Sequence, residues 1–147
     1  MLKYITKSSL QTKKNGEGLA KKILKEGPKK CAQVLALNGE LGGGKTTFLQ
    51  GFAKGIGVKK RILSPTFVIM RSFKLDGPSF SAFYHLDCYR IKKAKELFVL
   101  GFEEILSNPK NIIAIEWAER IQKLLPKSTK LITFKFYNKK EREIVIR

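Results

Sequence analysis

Eight consecutive residues, Gly39-Glu40-Leu41-Gly42-Gly43-Gly44-Lys45-Thr46, constrain this chain more than any other stretch. They fit the pattern G-x-x-x-x-G-K-[ST], whose glycines allow successive backbone N–H groups to curl around phosphate oxygens. Such a loop must follow a strand and open a helix, because the helix N-terminus adds unpaired N–H groups and the positive end of its dipole. Both neighbours are present. Cys31 to Leu37 is mostly apolar and reads as a central strand, and Phe48, Leu49, Phe52, Ala53 and Ile56 recur at helical spacing before Gly55 and Gly57. A glycine turn that merely opened a helix would not need a Gly-Lys-Thr triplet at this position.

The chemistry follows from the residue types. Lys45 is expected on the β- and γ-phosphates of a bound nucleotide, and the Thr46 hydroxyl on Mg²⁺. Thr47 belongs to the same binding segment with no ligand role of its own. A phosphate-bound metal also needs an acid from a neighbouring strand. Two candidates end apolar segments, Asp87 after Ala82-Phe83-Tyr84-His85-Leu86 and Glu116 after Ile112-Ile113-Ala114-Ile115, and spacing does not choose between them. Ser64-Pro65-Thr66-Phe67 could be a switch segment bringing a hydroxyl to the γ-phosphate, but by itself reads first as a proline turn that starts a strand. His85 is the sole histidine, which by itself reads as a structural strand residue, and Trp117 by itself reads as core.

The remaining elements are read from periodicity. Leu2 to Thr6 alternates as a half-buried strand. Ser8 or Ser9 caps a helix through Ile23-Leu24, weakened by Gly16 and Gly18, and Gly27-Pro28 is a turn. Phe67-Val68-Ile69-Met70 and Ala82 to Leu86 are strands joined through Asp76-Gly77-Pro78, too short a connection for a crossover helix, so they pair antiparallel. Lys95 to Leu106 is helical with a break at Gly101, and Ala118 to Leu125 is a short helix before Pro126. Leu131 to Phe136, a turn at Asn138-Lys139-Lys140, and the segment through Ile144 and Ile146 form a terminal hairpin. The sum is an α/β fold: one P-loop NTPase domain over residues 1–147, with a mixed parallel and antiparallel sheet flanked by helices and a C-terminal β-hairpin.

Composition sets outer limits. The 147 residues are 43% hydrophobic and 29% charged, which suits one folded domain and not a disordered chain. The apolar runs are too short to span a bilayer and the N-terminus lacks an apolar signal region, so a cytoplasmic protein without a membrane partner is expected. Two cysteines, Cys31 and Cys88, with no CxxC pair, predict buried reduced thiols. Lysine and arginine number 30 against 12 acids, a net charge of +18 that attracts polyanions, although the lysines are spread along the chain.

Taken together, Gly39 to Thr46, Ser64-Pro65-Thr66-Phe67, His85-Leu86-Asp87-Cys88-Tyr89-Arg90 and Ile115-Glu116-Trp117 closely resemble the TsaE family, also called YjeE. That family comprises bacterial P-loop ATPases needed to make N6-threonylcarbamoyladenosine beside the anticodon of tRNA. The resemblance covers nearly the whole chain. It implies an ATP- and Mg²⁺-dependent accessory ATPase that resets a TsaB-TsaD complex between rounds of modification, with tRNA met directly or through that complex. It further implies Asp87 as Mg²⁺ ligand with Thr46, Glu116 and Trp117 at the nucleotide site, Thr66 as the switch hydroxyl, and Thr12 near the adenine. Gly43 stands where the family commonly has alanine, and Ala118 where it has proline. Competing readings are a small-molecule kinase on the same loop, which needs an acceptor pocket and usually a lid, and a basic RNA-binding module with secondary ATP binding. Asn138-Lys139-Lys140-Glu141 only superficially resembles a guanine-reading motif, because it occupies a predicted turn.

Overall fold

A computed structural model describes residues 1–63 and 69–147. Its frame is a seven-stranded sheet in the order β1-β7-β6-β2-β5-β4-β3. The strands are β1 (Leu2–Thr6), β2 (Gln33–Gly39), β3 (Met70–Lys74), β4 (Ala82–Asp87), β5 (Asn111–Glu116), β6 (Lys130–Phe136) and β7 (Arg142–Ile146). The four inner strands β6, β2, β5 and β4 run parallel, and antiparallel pairs close both margins. This is the expected P-loop α/β fold with its C-terminal hairpin.

Burial explains the arrangement. All six residues of β5 and the first five of β2 are buried, as apolar strands covered on both faces should be. Alternation then divides the core. Leu35, Leu37, Ile112, Ala114 and Phe83 face the layer made by α1 (Ser9–Glu26) and α2 (Lys45–Gly55). Val34, Ala36, Ile113, Ile115 and Leu86 face the opposite layer of α3 (Lys95–Phe98), α4 (Phe102–Ser107) and a 3-10 helix over Ala118–Leu124.

Helix α1 begins where the Ser8 hydroxyl accepts from the Gln11 N–H, while the Gln11 side chain accepts from the Lys7 N–H. It runs 18 residues straight through Gly16 and Gly18. Tertiary packing overrides the expected weakening at Gly16, where an added Cβ would come within 2.7 Å of the Phe52 nitrogen. Gly55 answers from α2, where a Cβ would lie 2.6 Å from that of Ala20. The two helices therefore meet along a glycine seam.

Several boundaries differ from the sequence reading. The strand expected from Cys31 starts at Gln33, and Cys31 is half-buried at the rim, so only Cys88 is the buried thiol predicted for both. The antiparallel partner of β4 is centred further along the chain than Phe67-Met70, over Met70–Lys74, while Phe67 and Val68 lie outside the described residues. The break expected at Gly101 is present, where φ is +77° and separates α3 from α4. The segment after Glu116 is a 3-10 helix that Trp117 enters in a left-handed conformation and that is kinked at Ile121. Among the described residues no helix is long and apolar enough to cross a membrane.

Candidate nucleotide site

The parallel strands β2, β4, β5 and β6 all end at one edge of the sheet, which is where open α/β folds bind ligands. At that edge Gly39 to Gly44 leave β2 and enter α2. Gly39 adopts φ +149° against β6, where a Cβ would approach the Phe134 carbonyl oxygen to 2.5 Å, so only glycine fits. Gly44, at φ +100°, is the N-cap of α2 and offers no side-chain cap, which leaves the first-turn N–H groups available to an outside acceptor.

Lys45 is 5% exposed, and its ammonium donates to the loop's own carbonyls at Gly39 (2.5 Å) and Glu40 (2.9 Å). The same nitrogen lies 4.2 Å from the centroid of the Trp117 ring. Burial pushes its pKa down, and the charges of Glu116, Glu119 and Asp87 oppose that shift. Its hydrogen bonds go to neutral carbonyls, and an ammonium so bonded gains by exchanging them for a charged oxygen, since hydrogen bonds between two charged groups are the stronger.

Strand alternation delivers the acids. Ile112, Ala114 and Glu116 on β5, with Phe83, His85 and Asp87 on β4, share the face toward α2, and Asp87 is registered directly beside Glu116. The Thr46 hydroxyl donates to Glu116 Oε1 at 2.9 Å. His85 Nε2 lies 2.7 Å from Glu116 Oε2, with His85 wholly buried and Glu116 3% exposed. Asp87 Oδ1 accepts from the Tyr89 N–H at 2.9 Å. Burial pushes the Asp87 carboxyl above the usual carboxylate range, the Tyr89 bond pulls it down, and the Glu116 charge adds to the rise.

Trp117 is the one described non-glycine residue with positive φ, at +57°, a rare conformation for a bulky side chain. The twist after Glu116 lays the indole over Lys45 and 5.0 Å from the Tyr89 ring. On the other flank a groove of about 390 Å³ is lined by Gly39, Glu40, Thr133, Phe134, Lys135 and Phe136. Arg142 covers Phe136 at 4.2 Å, and its Nε lies 3.4 Å from the Gly42 carbonyl oxygen.

Lys45, Thr46, Glu116 and Trp117 thus converge, with Asp87 beside Glu116. Thr12 supports the loop from α1. It is buried, its hydroxyl is 2.9 Å from that of Thr6, and its methyl would lie 3.7 Å from a Cβ at Gly44. Thr66 and its Ser-Pro-Thr-Phe segment lie outside the described residues. Sequence reasoning missed His85, Glu119, Phe136 and Arg142. For His85 the sequence shows only that it shares a strand face with Asp87, two residues on, and its meeting with Glu116 depends on the β4–β5 register.

The donor set suits a polyphosphate with a divalent cation. Among the described residues no group of three or more His, Cys, Asp or Glu side chains forms a metal cage. A hydroxyl and two neighbouring carboxylates instead match Mg²⁺, which takes one or two carboxylates and draws its other ligands from water and substrate phosphates.

Comparison with known proteins gives the family. Residues 6–144 match the family model described as "Threonylcarbamoyl adenosine biosynthesis protein TsaE". Proteins named tRNA threonylcarbamoyladenosine biosynthesis protein TsaE are similar over much of the chain. The one from Bacillus subtilis is 39% identical over 115 residues, 78% of this chain and 69% of its own. That from Haemophilus influenzae is 34% identical, covering 84% and 75%, and that from Treponema pallidum is 30% identical over 99% of both. The crystal structure of YdiB from Bacillus subtilis superposes with a TM-score of 0.74 at 32% identity, covering 99% of this chain and 83% of that one.

Proposed function

The chain belongs to the TsaE family of threonylcarbamoyl adenosine biosynthesis proteins, and from that premise we propose that it is a Mg²⁺-dependent ATPase that supports turnover of a TsaB-TsaD complex on tRNA in the cytoplasm. The observation that carries the reading is the convergence of a buried Lys45 ammonium, the Thr46 hydroxyl and the Glu116 carboxylate at the mouth of the glycine loop.

Bound Mg²⁺-ATP supplies a γ-phosphoryl group whose transfer to water is favourable and whose charge the metal neutralises. The protein's part is binding, positioning and electrostatics. Lys45, now bonded to the Gly39 and Glu40 carbonyls, would pair with phosphate oxygens, and the uncapped first-turn N–H groups of α2 would bind the same anion. Thr46, with the adjacent carboxylates Asp87 and Glu116, would hold the metal. The groove between Gly39 and Phe136 would hold the nucleoside side, with Phe134 and Phe136 as apolar walls. Trp117 screens the Lys45 side from water.

Asp87 and Tyr89 lie on a half-open rim, with Tyr89 49% exposed. A partner docked on that rim would exclude bulk water and complete the surroundings of the transferred phosphoryl group, so hydrolysis is slow alone and faster in the complex. Steady-state ATP hydrolysis with and without the cognate TsaB-TsaD pair, run beside multiple-turnover tRNA modification, tests this. Stimulation by the pair and loss of sustained modification in Asp87→Ala are expected. No stimulation, with full modification when this protein is omitted, would overturn the assignment.

A further inference from the structure

His85 is wholly buried on β4, between Phe83, which packs toward α2, and the buried Leu86. A phenylalanine or leucine would fill that volume with no polar atom to satisfy. The imidazole instead leaves Nδ1 buried without a hydrogen-bond partner among the described residues, a cost that native cores rarely tolerate without a return. The visible return is one bond, Nε2 to Glu116 Oε2 at 2.7 Å.

An ionised carboxylate only accepts, so that bond requires the proton on Nε2. The orphaned Nδ1 is then a bare lone pair. From β4 inward the polarity runs one way. His85 Nε2–H donates to Oε2, and Oε1 accepts from the Thr46 hydroxyl at 2.9 Å. With its proton committed to Glu116, the Thr46 oxygen keeps both lone pairs for the loop side. Without His85, Oε2 would be a buried oxygen lacking a donor, and the carboxylate would rotate to find one.

Resting on the ATPase reading above, we propose that His85 is a positioning residue: it fixes the rotation of the Glu116 carboxylate, and through it the Thr46 hydroxyl, so that the Mg²⁺ site is pre-formed. His85 touches neither nucleotide nor metal. Its contribution appears in the Mg²⁺ requirement of nucleotide binding rather than in binding as such.

The test is equilibrium titration of ATP, followed by fluorescence of the single tryptophan, Trp117, at a series of Mg²⁺ concentrations. His85→Leu is expected to raise the half-saturating Mg²⁺ concentration about 10-fold or more, the usual cost of removing a hydrogen-bond partner from a metal ligand. Its affinity without Mg²⁺ should stay unchanged. His85→Gln, which can present an N–H to Oε2, is expected to stay within about threefold of wild type on the same scale. In a Glu116→Gln background, His85→Leu should have little further effect, because the two act as a unit.

Full Mg²⁺ sensitivity in a folded His85→Leu protein, or additive losses in the double variant, would overturn the proposal. Failure of wild type to bind ATP would sink the ATPase reading instead. If His85→Leu does not fold, the imidazole spectrum of wild type decides, since one histidine gives one set of nitrogen signals. A protonated Nε2 with bare Nδ1 supports the assignment, and the opposite tautomer refutes it.

Discussion

The glycine seam between α1 and α2 makes a quantitative prediction for Gly51→Ala. A Cβ at Gly51 would lie 2.6 Å from both the Cα and the carbonyl carbon of Lys13, and closer still to that carbonyl oxygen. These are backbone atoms of α1, so no rotamer change relieves the clash. The helices must part by roughly 1 Å to regain ordinary carbon separations of about 3.5–4.0 Å. Overpacking of this kind costs about 3 kcal/mol, at the upper end of its usual range, because the obstacle is main chain. Alanine's helix preference over glycine offsets about 1 kcal/mol, which leaves a net loss of about 2 kcal/mol.

For a chain of this length that loss lowers Tm by roughly 4–8 °C. Gly18→Ala is the matched control, since a Cβ there meets nothing within 4 Å, and it should stabilise by up to about 1 kcal/mol. Thermal and urea denaturation of the two variants beside wild type measure both effects. Because α1 also carries Thr12 against Gly44, Gly51→Ala should weaken nucleotide binding as well. A Gly51→Ala protein as stable as Gly18→Ala would refute the close-packing argument.

Asp87→Asn should change the pH dependence of the nucleotide-free protein. Burial raises the Asp87 pKa, so its contribution to stability is greatest below the ordinary carboxylate value and is lost as pH rises through the folded-state value. The asparagine variant, which keeps an acceptor for the Tyr89 N–H, should remove that decline and raise Tm at neutral pH while impairing Mg²⁺-dependent hydrolysis. A parallel pair of Tm-versus-pH curves would contradict this. In competition titrations ATP should displace a bound fluorescent nucleotide at lower concentration than GTP, because no guanine-reading motif accompanies the loop, and equal displacement would remove the preference. If the +18 surface meets tRNA, affinity measured by filter binding should fall steeply with salt through counterion release. A complex indifferent to salt would assign the charge another role.

Features set by near neighbours were legible in the sequence. The order strand, glycine loop, helix follows from Cys31 to Ile56, and the terminal hairpin follows from alternation around Asn138. Features set by partners distant in the chain were not. Gly16 reads only as a weakness in the helix until α2 brings Phe52 against it. His85 reads as a lone structural histidine until the parallel pairing of β4 and β5 sets it on Glu116. Asp87 and Glu116 look equivalent in spacing, yet Glu116 meets the Thr46 hydroxyl while Asp87 turns to its own chain at Tyr89. Arg142 and Phe136 reach the loop only because the hairpin returns β6 and β7 to the edge beside β2.

The central claim is that Lys45, Thr46 and Glu116 form a Mg²⁺-dependent ATP site. Equilibrium titration of ATP into wild type and Lys45→Ala, each with and without Mg²⁺, tests it most directly. Loss of one charge-assisted contact to phosphate costs about 1.5–3 kcal/mol, which is roughly a 10- to 150-fold weakening. Saturable ATP binding by wild type, tightened by Mg²⁺ and weakened to that degree in Lys45→Ala, is the predicted result. Equal affinity in the two proteins, or binding indifferent to Mg²⁺, would contradict it.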